Sequence, residues 1–301
     1  MDLLYDRLRD MELQVSLGEP MKKHTTFQVG GPADYFVTPR NAEEIQKAAE
    51  ACREMEIPYF ILGNGSNLLV SDKGYRGAVI HIGKALGQVR TEENRIYAGA
   101  GATLAKVASK ALEEGLTGLE FASGIPGTLG GAVVMNAGAY GGEMVQVIRQ
   151  VTVLTKEGEV KKLGLEELDM GYRKSCILPM KYIVTEAELE LEPGDKAQIK
   201  AKMDDLASRR KEKQPLEFPS AGSTFKRPEG YFAGKLIMDA GLSGFSMGGA
   251  CVSEKHCGFV VNKGGATAED ILTLCREVKR RVQEKFGVSL EMEVRTLGDF
   301  S

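Results

Sequence analysis

Between positions 124 and 142 the chain reads GIPGTLGGAVVMNAGAYGG, seven glycines and no charged side chain in nineteen residues. Ordering a glycine costs more backbone entropy than ordering any other residue, so a cluster this dense is there for geometry. Either the backbone turns sharply, or something bulky lies directly against it. The 36 glycines of the 301-residue chain gather in patches without a fixed period, which excludes a collagen-like or solenoid architecture.

The rest of the composition is that of a globular protein of about two domains, with 43% hydrophobic and 27% charged residues. A net charge of −3 argues against a nucleic-acid binder, so any anionic ligand has to be held by local groups. The amino terminus, MDLLYDRLRDMEL, mixes both charge signs and reads as a short amphipathic helix, not a signal peptide. No apolar run approaches the ~18 residues of a membrane span; a cytoplasmic protein without membrane partners is expected. Five cysteines form no CxxC pair, and the three histidines have no carboxylate or histidine partner at ligand spacing. No metal site or disulfide framework is expected.

Residues 34–40 predict a strand, and Asn41 with Glu44 predicts a capped helix with Ile45, Ala48, Ala49, Cys52 and Met55 on one face. IPYFIL (57–62), GAVIHI (77–82) and RIYAGA (95–100) predict strands. The last leads into a helix capped by Thr103 and closed by Gly115. Partly alternating segments at 147–155, 159–163 and 182–191 predict three more strands, the first two joined by a hairpin at 156–158. EPGDK (192–196) is a turn and a boundary before a polar helix over 197–213, stopped by Pro215. A helix over 268–286, capped by Thr267 with Asp270, precedes SLEMEVRTLG, which is expected to close the chain as a strand. In that strand Leu290, Met292 and Val294 take one face, and Glu291, Glu293 and Arg295 the other. This alternation of strands and helices is α+β or mixed α/β, in two or three compact units, with expected domains at 1–85, 86–195 and 196–301.

Two segments look in part like dinucleotide fingerprints: Gly63-Asn64-Gly65-Ser66-Asn67 after IPYFIL, and Gly99-Ala-Gly101 after RIY. Positions 68 and 104 are leucine where the third glycine belongs, so neither makes a Rossmann site. Read more generally, GNGSN offers backbone N–H groups plus Ser and Asn donors to a phosphate, although a plain tight turn explains it equally well. Residues 123–131, SGIPGTLGG, make a second anion-friendly loop. The small residues that follow let a flat aromatic ring approach the backbone; close packing of two elements favours the same residues. Two such loops beside a flat shelf suit a large dinucleotide such as FAD. Arg173 in MGYRKS, Ser223 in AGSTFKRPEG and Glu293 in LEMEVRTLG stand in unusual settings, yet each reads as surface taken alone.

Taken in order, TTFQVGGPADYF, ILGNGSNLLVSD, GLEFASGIPGTLGGAVVMNAGAYGGE, MGYRKS, AGSTFKRPEG, GGACVSEKHCGFVVN and LEMEVRTLG resemble the UDP-N-acetylenolpyruvoylglucosamine reductases of bacterial cell-wall synthesis. The resemblance spans roughly residues 22–299, and seven motifs in register make it specific. It looks like the shorter class of that family, without the inserted tyrosine loop. It implies a vanillyl-alcohol-oxidase-type fold, in which two subdomains hold FAD and a third domain closes over the sugar nucleotide. By motif, Gly63, Asn64, Gly65, Ser66 and Asn67, with Gly124, Ile125, Gly127, Thr128, Gly130 and Gly131, would cradle the pyrophosphate. Ala137, Gly138 and Ala139 would back the flavin. Neither loop carries the histidine or cysteine that tethers flavin in some relatives of that fold, so FAD would be non-covalent.

The resemblance also implies the reaction: NADPH reduces FAD, and the enolpyruvyl ether of UDP-N-acetylglucosamine is then saturated to UDP-N-acetylmuramate. Arg173 would stabilise the substrate carboxylate, Ser223 would protonate the alpha carbon, and Glu293 matches the family's glutamate. Lys213 looks like the family's phosphate lysine, with Tyr172, Lys226 and Arg227 as further substrate contacts. Two other readings stay open: another FAD-dependent oxidoreductase of the same fold, which would not need Arg173, Ser223 and Glu293 together, and a non-catalytic nucleotide-sugar binding protein without flavin.

Overall fold

A computed structural model describes residues 2–301, and its helices begin where capping residues stand. Asn41 Oδ1 accepts the Glu44 amide at 2.9 Å and opens the helix Ala42–Glu54. Thr103 does the same for Leu104–Glu114, which ends on Gly115 at φ 70, a left-handed position that suits a residue without Cβ. At Ala268–Phe286, Thr267 and Asp270 satisfy each other's amides as a capping box. The carboxylate of Asp72 adds bonds to the amides of Ala268 and Glu269 at 2.9 and 3.0 Å.

The chain forms two compact units. The first takes the residues up to Ser16, Tyr35–Asn64 and Ala78–Arg210; the second takes Leu17–Asp34, Gly65–Gly77 and Lys211–Ser301. A five-stranded antiparallel sheet centres the first, in the order Val160–Gly164, Ile148–Leu154, Ile183–Glu190, Arg95–Gly99, Val89–Glu92. Alternate residues point one way: Val151, Val153, Ala187, Leu189, Ile96 and Ala98 are all buried. Each such large aliphatic contributes about 1.5–3 kcal/mol on leaving water. The edge strand Val160–Gly164 buries only Leu163 and exposes Lys161 and Lys162, charges that discourage further strand pairing. A four-stranded sheet runs Val15–Pro20, Pro32–Val37, Tyr75–His81, Tyr59–Leu62, its last pair parallel.

In the second unit, the helix Ala268–Phe286 buries Ile271, Leu274, Cys275, Val278 and Val282, one face at helical spacing. Its partners are a three-stranded sheet, Ser246–Met247, Ala250–Val252 and Val260–Asn262, and the short helix Ala233–Asp239. The closing segment departs from the expected long strand. Only Arg295–Leu297 is a strand, parallel to Leu68–Val70, and upstream a single bridge joins Met292 to Phe225. The expected apolar face is nonetheless real, with Leu290 and Val294 buried and Met292 packed on the same core.

Candidate active site

In the first unit the glycine-rich stretch is anchored from several sides. Asn64, just past the strand Tyr59–Leu62, donates from Nδ2 to the Pro126 carbonyl at 2.8 Å. A Cβ on Gly63 would collide with Thr128 Oγ1, so a side chain there would force Thr128 to move. Gly127 accepts from the Leu104 amide at 3.0 Å, while the amides of Leu129 and Gly130 go to the carbonyls of Ala102 and Ala100 at 2.8 and 2.9 Å. The first two amides of the helix Leu129–Met135 are therefore spent inside the protein. Thr128 stands at its N-cap without a side-chain cap bond.

That helix stops at Asn136, whose φ of 42 is left-handed. Asn136 is 1% exposed, yet its amide is fully engaged. Nδ2 donates to Glu143 Oε2 and to the Gly171 carbonyl, each at 3.1 Å, and Oδ1 accepts the Val145 amide at 2.9 Å. One side chain thus joins the helix end to a hairpin and to the turn that carries Tyr172 and Arg173. In the hairpin, Gly138–Ala139 pairs with Gly142–Glu143. Its two corner residues, Tyr140 and Gly141, have φ of 53 and 87, as a tight two-residue hairpin turn requires. A Cβ on Gly142 would enter the ring of Phe121. Ala137, Gly138 and Ala139 remain partly exposed.

Arg173 sits in a turn closed by paired bonds between Gly171 and Lys174, at 3.1 and 3.2 Å. Its own backbone is left-handed, φ 56. The guanidinium lies 5.0 Å from the centre of the Tyr172 ring and reaches the Gly138 carbonyl at 3.5 Å. The structure therefore brings Arg173, Tyr172 and Gly138 together. A residue that sequence reasoning missed also belongs here. Arg210, near the end of the helix Lys196–Lys213, donates from Nη1 to the Gly124 carbonyl. Its surroundings fit a dinucleotide diphosphate: a half-buried cation against a glycine loop, within electrostatic reach of Tyr140, with small residues exposed on the neighbouring hairpin.

In the second unit Ser223 is exposed and follows Gly222, whose φ is 75. The next residue, Thr224, is fully buried; its Oγ1 accepts the Val260 amide and its own amide donates to Gly258, at 2.9 and 2.8 Å. The Glu293 amide donates to the Thr224 carbonyl at 2.9 Å. Asn67 Nδ2 donates to the Glu293 carbonyl at 3.1 Å, and the Arg295 amide returns a bond to Asn67. Asn67, the Ser223 segment and Glu293 are thus fastened together. Gly65 and Ser66 precede Asn67, and Gly65 (φ 60) packs so closely on the His24 carbonyl that no Cβ fits. Lys226 pairs with Glu291. Arg227 lies over the Phe232 ring, 4.0 Å from its centre. Lys213 is the exposed last residue of its helix.

The histidine reading needs one correction. His24 Nε2 lies 3.0 Å from Glu19 Oε1, because the helical turn Met21–Lys23 folds the chain back on itself. That bond holds the Glu19 carboxyl below its usual range. Among the described residues no three His, Cys, Asp or Glu side chains form a metal-holding group. The five cysteines are free; Cys52, Cys251, Cys257 and Cys275 are buried and Cys176 half-buried. No helix of the described residues is long and apolar enough to cross a membrane.

Comparisons with known proteins converge. A family model described as FAD binding domain matches residues 33–164, and one described as UDP-N-acetylenolpyruvoylglucosamine reductase, C-terminal domain, matches 214–297. The UDP-N-acetylenolpyruvoylglucosamine reductase of Agathobacter rectalis is 57% identical over 294 residues, 94% of this chain and 93% of that protein. That of Clostridium perfringens is 56% identical over 287 residues, 95% of this chain and 94% of that protein. The crystal structure of the Thermus caldophilus enzyme superposes with a TM-score of 0.80 at 39% identity, covering 95% of this chain and 98% of that one. BBE-like 1 of Physcomitrella patens, at 14% identity and a TM-score of 0.50 over 63% of this chain and 44% of that one, shares the fold alone.

Proposed function

The chain belongs to the UDP-N-acetylenolpyruvoylglucosamine reductases, with their vanillyl-alcohol-oxidase-type α+β fold, and on that premise we propose that it reduces the enolpyruvyl ether of UDP-N-acetylglucosamine enolpyruvate to UDP-N-acetylmuramate. The observation that carries this reading is the full-length match to reductases of that name, with Arg173, Ser223 and Glu293 all present. The electron donor is NADPH and the cofactor is non-covalent FAD. Flavin held by the glycine-rich loops would supply two-electron chemistry between NADPH and the double bond of the substrate.

The residues do the rest. Saturating the double bond places negative charge on the alpha carbon, spread into the adjacent carboxylate. Arg173 presents a planar fork to that carboxylate and stabilises the charge as it forms. Its position is set beforehand by the 171–174 turn and by Asn136, so little reorganisation accompanies the reaction. Ser223 donates the proton to the alpha carbon, a demanding task for an alcohol that depends on close positioning. The buried Thr224 beside it supplies a fixed backbone, and Glu293 is held to that same backbone.

Tyr172, Lys213, Lys226 and Arg227 are assigned to the UDP-sugar. The Lys226–Glu291 pair is no obstacle, since an exposed pair contributes only about 0–1 kcal/mol and yields to a phosphate. Residues 63–67 and 124–131 are assigned to the flavin pyrophosphate, and Ala137, Gly138 and Ala139 to the ring. Residues 1–85 and 86–195 serve as the flavin-binding subdomains, and 196–301 as the substrate domain. The protein acts in the cytoplasm on a small molecule, in peptidoglycan precursor synthesis, and its net charge of −3 disfavours nucleic acid as a partner.

The test is an anaerobic absorbance trace. The flavin colour is bleached with one equivalent of NADPH, and UDP-N-acetylglucosamine enolpyruvate is then added. Recovery of colour is the expected result. Bleaching without recovery would assign the chain to another oxidoreductase of this fold. A protein that cannot be loaded with FAD would be a nucleotide-sugar binder.

A further inference from the structure

We propose that Asn67 is a positioning residue for Glu293, an inference that rests on the assignment of Glu293 to the reaction. Asn67 closes GNGSN, and its backbone carbonyl accepts the Arg295 amide at 3.2 Å. Its side chain adds a second bond to the same segment: Nδ2 donates to the Glu293 carbonyl at 3.1 Å. The parallel pairing of Arg295–Leu297 with Leu68–Val70 is thereby carried back to residue 293 by a side chain. The Glu293 amide in turn donates to the Thr224 carbonyl at 2.9 Å. Both backbone polar groups of Glu293 are thus taken, one by the residue after Ser223 and the other by the last residue of GNGSN.

A group that places another has to be held itself, and Asn67 is held on both sides. Upstream, Gly65 packs on the His24 carbonyl and accepts the Thr26 amide at 3.2 Å. Downstream, Leu68, Leu69 and Val70 are buried, and the Ser71 amide donates to the Leu297 carbonyl at 2.9 Å. The contact between Asn67 and Glu293 spans 226 residues of sequence, so tertiary structure alone makes it. The side-chain chemistry matters as well. Asparagine offers an N–H donor at this reach, whereas aspartate keeps the shape and has no N–H to give. A carboxylate set beside an anionic substrate tolerates little drift, because electrostatic stabilisation depends on groups fixed in advance. The segment assigned to the flavin pyrophosphate thus has a side chain that serves the other half of the chemistry.

The test compares the full-length holoprotein with Asn67→Ala, Asn67→Asp and Ser71→Ala, and with the two Asn67 variants combined with Glu293→Ala. Ser71→Ala removes a bond from the same strand pair, Oγ to the Asp299 carbonyl at 2.5 Å, at the end away from Glu293. Stopped-flow absorbance reads the two half-reactions, and titration of the flavin-stripped proteins reads FAD affinity. Both Asn67 variants are expected to slow reoxidation by the enolpyruvyl substrate about 10- to 100-fold, the cost of a ~1 Å misplacement. Their FAD affinity and their reduction by NADPH should stay within about threefold, less than the ~10-fold or more that losing a charged hydrogen bond costs. Combined with Glu293→Ala, they should slow reoxidation by no more than about a further twofold, since the group they place is gone. Ser71→Ala should reoxidise within about twofold of wild type. Full additivity with Glu293→Ala would overturn the proposal, as would equal slowing by Ser71→Ala, which would make the strand pair as a whole responsible. A tenfold or greater loss of FAD affinity with unchanged reoxidation of the bound flavin would make the side chain a phosphate donor and also overturn it. If Glu293→Ala alone reoxidised at the wild-type rate, Glu293 would leave the reaction and Asn67 would have nothing to place, a failure distinct from the others.

Discussion

Ser223 is exposed, small and flanked by Gly222 in the left-handed region and by the buried Thr224. Removing its hydroxyl leaves those neighbours in place, so Ser223→Ala isolates chemistry from folding. Reduction of the flavin by NADPH should persist in this variant, while its reoxidation by the enolpyruvyl substrate slows by about 10²–10⁴-fold, the usual worth of a positioned proton donor. Stopped-flow absorbance separates the two half-reactions, and equal loss in both would remove Ser223 from the proton-transfer role. Most candidate site residues were visible in the sequence because their motifs are contiguous and chemically unusual. Asn136 and Arg210 were not. Asn136 gave one usable sign, an asparagine closing the apolar run AVVM just where a helix needs a left-handed end. Arg210 gave none, because its partner Gly124 lies 86 residues away and nothing in SRRKEK marks one arginine from the next.

At the level of elements, the helices were the most legible part of the chain. Thr103 with Gly115, and Thr267 with Asp270, mark their helices at the residues where the structure begins and ends them. Caps act locally, so sequence shows them directly. Thr267→Ala removes one half of the capping box and should cost about 1 kcal/mol. A drop in melting temperature of about 2–4 °C, read by thermal unfolding of the holoprotein, is expected. Short strands were harder to see. Ser246–Met247, Ala250–Val252 and Val260–Asn262 are two or three residues long, too brief for an alternating pattern to register. The closing strand was overestimated for a related reason: Leu290, Met292 and Val294 alternate as a strand does, but only from Arg295 onward does a partner strand run alongside.

For the molecule as a whole, the class of fold followed from many small agreements, while its division into two units cuts through segments that look continuous in sequence, GNGSN among them. The second unit also shapes the response to pH. Burial in the second unit depresses the basicity of His256, whose Nδ1 accepts the Gly258 amide at 3.1 Å. Its folded-state pKa lies below the ordinary value of 6.5, so below that pH the unfolded chain takes up a proton that the folded chain refuses. Stability from this group is complete above pH 6.5 and falls as the pH drops toward the folded value, with a slope of at most about 1.4 kcal/mol per unit. Melting temperatures of wild type and His256→Gln should therefore converge between pH 7.5 and about 5.5, the wild type losing more. A constant difference across that range would show that His256 does not titrate between the two states.

The uneven burial of the five thiols makes the native protein a ready optical probe. Burial pushes Cys52 up to about 11 and Cys275 up to about 12, and Cys251 and Cys257 are shielded as well. Only Cys176 is partly open, three residues beyond Arg173 in the same segment. A maleimide dye at mildly alkaline pH should attach once to the folded protein and five times after denaturation, as counted by intact mass. The single label would report by its emission on what reaches Arg173, with every native cysteine left in place.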